Sequence, residues 1–253
     1  MKVTDAVAFA GHQVHVCRWR EAGMLLRWLG PDLRGLRVLD VAGGDGYWAA
    51  RARRRGADAV AVDIAAAKLQ RGRRLAGAPS LVLGDALRLP FPDASFDRVL
   101  SICAIEHFDD GPHALSEMAR VLAPGGELVM SADTLSRAAE WPHLYRAHCE
   151  RYHVQRTYTH HQLTGLLAER GLAVTQYAYQ FRSRWSERLY LTLSAHGGRA
   201  GFNAAAPLAP LIAAADRWTR ADRGAIVLIR ARRRPSGLAS AAPGTAATQA
   251  AAT

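Results

Sequence analysis

The sequence predicts an α/β chain built on a doubly wound, mostly parallel sheet. Three observations predict it. Short β-rich runs alternate with helix-like segments from Arg37 onward. The connections between them are short, as in βαβ units. An acid-ended apolar run, Val38-Leu39-Asp40-Val41, leads into a glycine-rich turn that opens a helix.

Residues 1–34 read as a helical lead-in, with apolar and aromatic residues among His and Arg. Strands are expected at Arg37–Val41, Val60–Asp63, Leu81–Leu83, Arg98–Ile102 and Glu127–Ala132, where β-branched and aliphatic residues cluster. The helix-like segments Tyr47–Arg55, Ala65–Leu75 and Gly111–Leu122 lie between them. From Thr134 the pattern breaks, and aromatics and histidines crowd together in an insertion over about 134–161. A helix over Thr159–Arg170 ends at Gly171, placed as its C-terminal cap. Leu172–Gln180 and Ala225–Arg230 complete seven strands. A second insertion, about 183–220, separates that pair, and the insertions are expected to form a helical cap. The core domain is expected over 35–232. The Ala-, Ser-, Thr-, Pro- and Gly-rich tail, 233–253, is expected to be disordered.

A chain of 253 residues that is 49% hydrophobic can bury a sizeable core. No apolar run is long enough for a transmembrane helix, and Met1–Asp5 does not open a signal peptide. Three widely spaced cysteines, Cys17, Cys103 and Cys149, fit a reducing, cytoplasmic setting without a disulfide framework. The net charge of +11 rests almost wholly on arginine, since Lys2 and Lys68 are the lysines. Heavy arginine and alanine usage fits a genomic bias. A basic chain can also attract nucleic acid, phosphorylated substrates or anionic membrane.

Turns of the form Gly43-Gly44-Asp45-Gly46 permit φ > 0 and bring backbone close to a ligand. Gly44-x-Gly46-x-x-Ala49 satisfies the relaxed dinucleotide fingerprint, so a nicotinamide cofactor has to be weighed. Asp63, ending the second run about twenty residues on, suits ribose hydroxyls and fits either kind of cofactor. Asp85, in Leu83-Gly84-Asp85-Ala86, ends the third run and suits an adenine amino group, a demand less typical of NAD sites.

With these motifs in order, residues 36–178 resemble the class I S-adenosylmethionine (SAM)-dependent methyltransferases of small molecules. Phe96–His107 resembles the family's fourth-strand motif, and Arg120–Leu128 its turn into the fifth strand. Ala42 stands where many members have glycine; alanine is found there in the methyltransferases of quinone biosynthesis. The resemblance implies a Rossmann-like seven-stranded sheet and SAM as cofactor, with S-adenosylhomocysteine as product. It implies that Asp40 and the backbone of Ala42, Gly43 and Gly44 hold the methionine part. Asp63 with Ile64 would meet the ribose, Asp85 with Ala86 the adenine, and Ser101 with Ile102 would close the pocket.

The expected reaction is methyl transfer to an oxygen or carbon of an apolar small molecule, natural-product or lipid-like. A phenol, with a pKa of about 10, or a carbon acid needs a general base. His107, following the fourth strand, is the candidate base; the alternative is a histidine that orders its loop. Trp141, Tyr145 and Tyr152 are candidate acceptor-binding residues, or else they bury one another in a packed cap. His148, Cys149, His153, His160 and His161 match no metal-ligand spacing, and Asp133 alone makes no magnesium site, so no metal is expected. The 183–220 insertion can serve as a substrate wall, a dimer interface or a membrane-surface contact. Two other readings stay open: an RNA or protein methyltransferase, or a non-catalytic SAM-binding protein. Against the nucleic-acid reading, Ser101–Ala104 lacks an Asn/Asp-Pro-Pro-aromatic motif and no separate RNA-binding module is visible.

Overall fold

A computed structural model describes residues 16–74, 77–235 and 248–249. Residues 1–15 of the lead-in and most of the tail beyond Arg233 lie outside the described residues. The strands are β1 (Arg37–Val41), β2 (Asp58–Asp63), β3 (Ser80–Leu83), β4 (Phe96–Ile102), β5 (Leu122–Asp133), β6 (Leu172–Gln180) and β7 (Ile226–Arg233). A two-residue strand, β8 (Thr248–Gln249), pairs in parallel with β6 at the sheet edge. The order is β3-β2-β1-β4-β5-β7-β6-β8. β1 to β5 run parallel, and β7 is antiparallel to both β5 and β6. The main body is thus the seven-stranded, mostly parallel, Rossmann-like sheet expected.

The helices are α1 (Val16–Leu29), α2 (Tyr47–Arg53), α3 (Ala66–Arg73), α4 (Gly111–Val121), α5 (Pro142–Tyr152), α6 (His160–Glu169), α7 (Arg184–Thr192), α8 (Gly198–Ala204) and α9 (Ala209–Trp218). Strand alternation sends side chains to two cores, one on each face of the sheet. Val38, Leu100, Val129, Ala178 and Leu228 meet α1, α2 and the 184–218 helices on one face. Leu39, Val41, Val99, Leu128, Met130 and Ile229 meet α4 and α6 on the other. Strands buried on both faces read as continuous aliphatic runs, and the start of β7, Ile226-Val227-Leu228-Ile229, shows that pattern.

Local chemistry sets the ends of these elements. The Asp110 carboxylate accepts from the His113 N–H at the start of α4, and Pro112 sits in the first turn. Thr159 and Gln162 close a reciprocal capping box on α6, and Gly171 (φ 72°) follows its C-terminus. In β5 the Pro124-Gly125-Gly126 turn interrupts pairing between Phe96↔Leu122 and Arg98↔Glu127. That break explains why the apolar run starts at Glu127 while the strand bounds begin at Leu122.

Candidate active site

Parallel strands of this order reverse direction of winding between β1 and β4, and a crevice opens beyond their carboxyl ends. A cavity of about 500 Å³ occupies that place, within the range for small-molecule sites. Its walls come from four successive loops. The turn after β1 supplies Ala42, and the end of β2 supplies Asp63, Ile64 and Lys68. The loop after β3 adds Gly84, Asp85 and Ala86, and the segment after β4 adds Cys103, Ala104 and His107. The cap closes one side with Tyr152, His153 and Gln155.

The turn after β1 is held open by left-handed backbone. Ala42 has φ 56°, Gly44 φ 62° and Gly46 φ 78°. A Cβ at Gly46 would lie 2.6 Å from Leu81 Cδ2 and 2.8 Å from Pro79 Cγ, so both conformation and space demand glycine. Behind the turn, Asp40 is 1% exposed and its Oδ2 accepts from the Ala49 N–H at 3.2 Å. Burial pushes its carboxyl up to about 8; the Ala49 N–H opposes this, and the Asp63 and Asp45 charges add to it.

Asp63 is oriented by backbone alone on two sides. Its Oδ2 accepts from the Gly44 N–H and its Oδ1 from the Ala65 N–H, each at 2.8 Å. Lys68 Nζ lies 3.8 Å from Oδ2. Ile64, next in sequence, is 71% exposed on the cavity wall. Asp85 Oδ1 accepts from the Leu87 N–H at 2.9 Å, which fixes the carboxylate at the end of β3.

His107 ends a 3₁₀ turn, Ile105–His107, and its Nδ1 lies 3.4 Å from the His153 carbonyl. The cap is tied to the same turn where Gln155 and Arg156 donate backbone N–H groups to the Glu106 carbonyl at 2.8 and 3.2 Å. His153 takes a left-handed conformation (φ 55°) at the end of α5, which turns the chain back toward the cavity.

Beneath Cys103 lies a buried polar network. Cys103 Sγ is 3.1 Å from Glu21 Oε1 and 3.9 Å from Asp133 Oδ1. Ser131 Oγ donates to Glu21. Asp133 pairs with His148 Nε2 at 2.9 Å and accepts from the Tyr190 hydroxyl at 3.2 Å, while His148 Nδ1 meets Ser194 Oγ at 2.8 Å. Asp133, isolated among acids in the sequence, thus has Glu21, Glu106 and Cys103 around it in the fold. Cys103, Glu106 and Asp133 each bring one ligand-capable atom within 4.8 Å of the others.

Of the residues singled out from sequence, Ala42, Asp63, Ile64, Asp85, Ala86, His107 and Tyr152 line the cavity. Asp40, Gly43 and Gly44 form the turn behind it. Ser101 is 1% exposed within β4, and Ile102 packs partly buried on the core; neither lines the cavity. Trp141 and Tyr145 are also off it. Trp141 is buried in the core beside α1 and α7 with the Arg184 guanidinium 5.8 Å over its ring, and Tyr145 packs half-buried on that core. Lys68, Cys103, His153 and Gln155 line the cavity without having been singled out as site residues. For Lys68 a signal existed: it follows Asp63 by five residues at the start of a helix in a chain of arginines.

Residues 39–130 match the family described as "Methyltransferase domain". The chain is 45% identical over 100 residues to the demethylmenaquinone methyltransferase of Deinococcus radiodurans, covering 37% of this chain and 42% of that one. It is 35% identical over 112 residues to the malonyl-[acyl-carrier protein] O-methyltransferase of Serratia marcescens, covering 44% of each. It thus spans under half the length of these relatives. In fold it is similar to a putative sarcosine dimethylglycine methyltransferase from Galdieria sulphuraria, with TM-score 0.60, 18% identity and coverage of 85% and 86% of the two chains. Residues 39–130 thus carry a methyltransferase domain, on a sheet of doubly wound, mostly parallel order.

Proposed function

We propose that the cavity binds SAM and that the protein transfers its methyl group to an oxygen or carbon of an apolar small-molecule acceptor. The observation that carries this reading is the convergence of Asp63, Ile64, Asp85 and Ala86 on one cavity at the carboxyl ends of β2 and β3. Each Asp63 oxygen accepts one backbone N–H and keeps a lone pair for a ribose hydroxyl. Ile64 offers an apolar side chain, 71% exposed, against a flat base. Asp85 is held to accept from an exocyclic amino group. The first turn brings Ala42 to the cavity wall, and Gly43 leaves room for the Asp40 carboxylate, which a Cβ there would approach to 2.7 Å.

SAM supplies a methyl group already activated on a sulfonium. What remains for the chain is to hold the acceptor in line with the methyl and to exclude water. Cys103, Ala104, His107, Tyr152 and His153 form the wall on which that acceptor would rest. His107 would take the proton of a phenolic or enolic acceptor, with its ring oriented through the His153 carbonyl. The relatives' names, a quinone and an acyl-carrier-bound malonyl group as acceptors, support a small-molecule class.

Incubation with methyl-labelled SAM and a panel of phenols, hydroquinones and carboxylic acids tests the proposal. Label in an extractable small product supports it. Label in RNA or protein instead, or SAM binding with no transfer to any acceptor, contradicts it.

A further inference from the structure

We propose that the outer face of α7 and α9 is a docking surface for an anionic lipid bilayer. α9 turns Ile212 and Asp216 inward, at 3% and 0% exposure. On its other side it carries Leu211 at 61% and Trp218 at 82% exposure, seven residues apart and so on one helix face. Leu208, just before α9, is 37% exposed, and Trp185 on α7 is 47% exposed. Large apolar side chains gathered on a surface mark an interaction site.

The two helices are held together rigidly beneath that face. Asp216 accepts from the backbone N–H groups of Phe181 (3.0 Å) and Arg182 (2.7 Å), from Ser186 Oγ (3.3 Å) and from Arg20 (2.8 Å). The Ser186 contact brings the start of α7 against the end of α9, the two places in the chain that carry Trp185 and Trp218.

Charge complementarity selects the partner. From 184 to 223 the exposed charged side chains are Arg184, which pairs with Glu140, and Arg188, Arg199, Arg217, Arg220 and Arg223, against the single acid Asp222. The other acids of the stretch, Glu187 and Asp216, are buried and paired with Arg137 and Arg20. Tryptophan and leucine that can enter the acyl boundary, flanked by arginines that reach phosphate headgroups, are the chemistry of an interfacial helix. A second copy docked through a two-fold axis would set these arginines against themselves. Single-stranded RNA would stack on tryptophan but has no use for protruding leucines. Among the described residues no helix is long and apolar enough to cross a membrane, so the contact is peripheral.

The test is co-sedimentation with vesicles of phosphatidylglycerol and phosphatidylcholine, and with vesicles of phosphatidylcholine alone, with tryptophan emission read in parallel. The full chain is expected to partition onto the anionic vesicles with a blue shift, and to be released as salt rises. Leu211→Ser/Trp218→Ser, and separately Arg217→Glu/Arg220→Glu, should each weaken partition by about ten-fold or more. Their circular dichroism should match the parent, because all four side chains are exposed. No partition of the parent, equal partition onto neutral vesicles, or unchanged partition of both variants overturns the proposal. So does a parent dimer dissociated by Leu211→Ser/Trp218→Ser, or tight RNA binding, without vesicle binding.

Discussion

At Asp40 two tendencies compete. The Ala49 N–H favours the carboxylate, whereas burial and the nearby Asp63 and Asp45 favour the acid, and burial wins. Its folded pKa of about 8 stands above the ordinary 3.8. Stability from the protonated form is therefore full below about 3.8 and is lost as pH rises toward about 8. Asp40→Asn should remove that loss, so its stability relative to the parent should rise by up to roughly 6 kcal/mol between those limits. Urea denaturation of both proteins across that window measures it. Gly46→Ala combines a left-handed backbone with a clash on Leu81 and Pro79, and should cost about 2–4 kcal/mol by the same measurement. His107→Ala should lower kcat by about 100-fold while leaving SAM affinity unchanged; equal kcat in the two proteins would return His107 to a loop-ordering role. The strand-end acids were legible in sequence because apolar runs ending in an acid announce the carboxyl ends of parallel strands. The cap was not: aromatics serve core and cavity alike, and only the reversal at His153 distinguishes Tyr152, on the cavity, from Trp141, in the core.

Among the elements, period and punctuation carried most of the sheet. β1 and β6 match their expected bounds, β2, β3 and β4 start one or two residues earlier than expected, and β7 is displaced by one residue at its start and three at its end. The antiparallel pairing of β7 between β5 and β6 is a long-range choice with no local signature. The 183–220 stretch resolves into α7, α8 and α9 with a π-helical turn, Leu193–Gly197, between α7 and α8. What fixes these helices to the sheet is Asp216, whose four side-chain partners lie from 30 to 196 residues away in places sequence spacing cannot reveal. Asp216→Ala would leave buried N–H donors and the Arg20 charge without their acceptor, and should destabilise by roughly 3–5 kcal/mol. Hydrogen exchange should show α7 and α9 losing protection before β1 and β4 do; uniform loss across the sheet would contradict a separate anchoring role.

For the whole molecule, the parallel half of the sheet builds the cavity and the first insertion covers one side of it through Tyr152, His153 and Gln155, whereas the 183–220 helices pack on one face of the sheet. In the proposed SAM site the first turn, the β2 end and the β3 end would each contribute one recognition group, and none of them is a site by itself. The glycine turn alone fits several nucleotide cofactors; under the proposed reading, the joint placement of Asp63, Ile64, Asp85 and Ala86, with an acid at the adenine end, distinguishes a SAM site from an NAD site. Isothermal titration calorimetry of SAM and of NAD, with the parent and with Asp63→Ala, tests that claim most directly. One SAM per chain is expected for the parent, no heat with NAD, and an affinity about ten-fold weaker or worse for Asp63→Ala with its fold retained. Absence of SAM binding by the parent, or equal affinity in the variant, would contradict it.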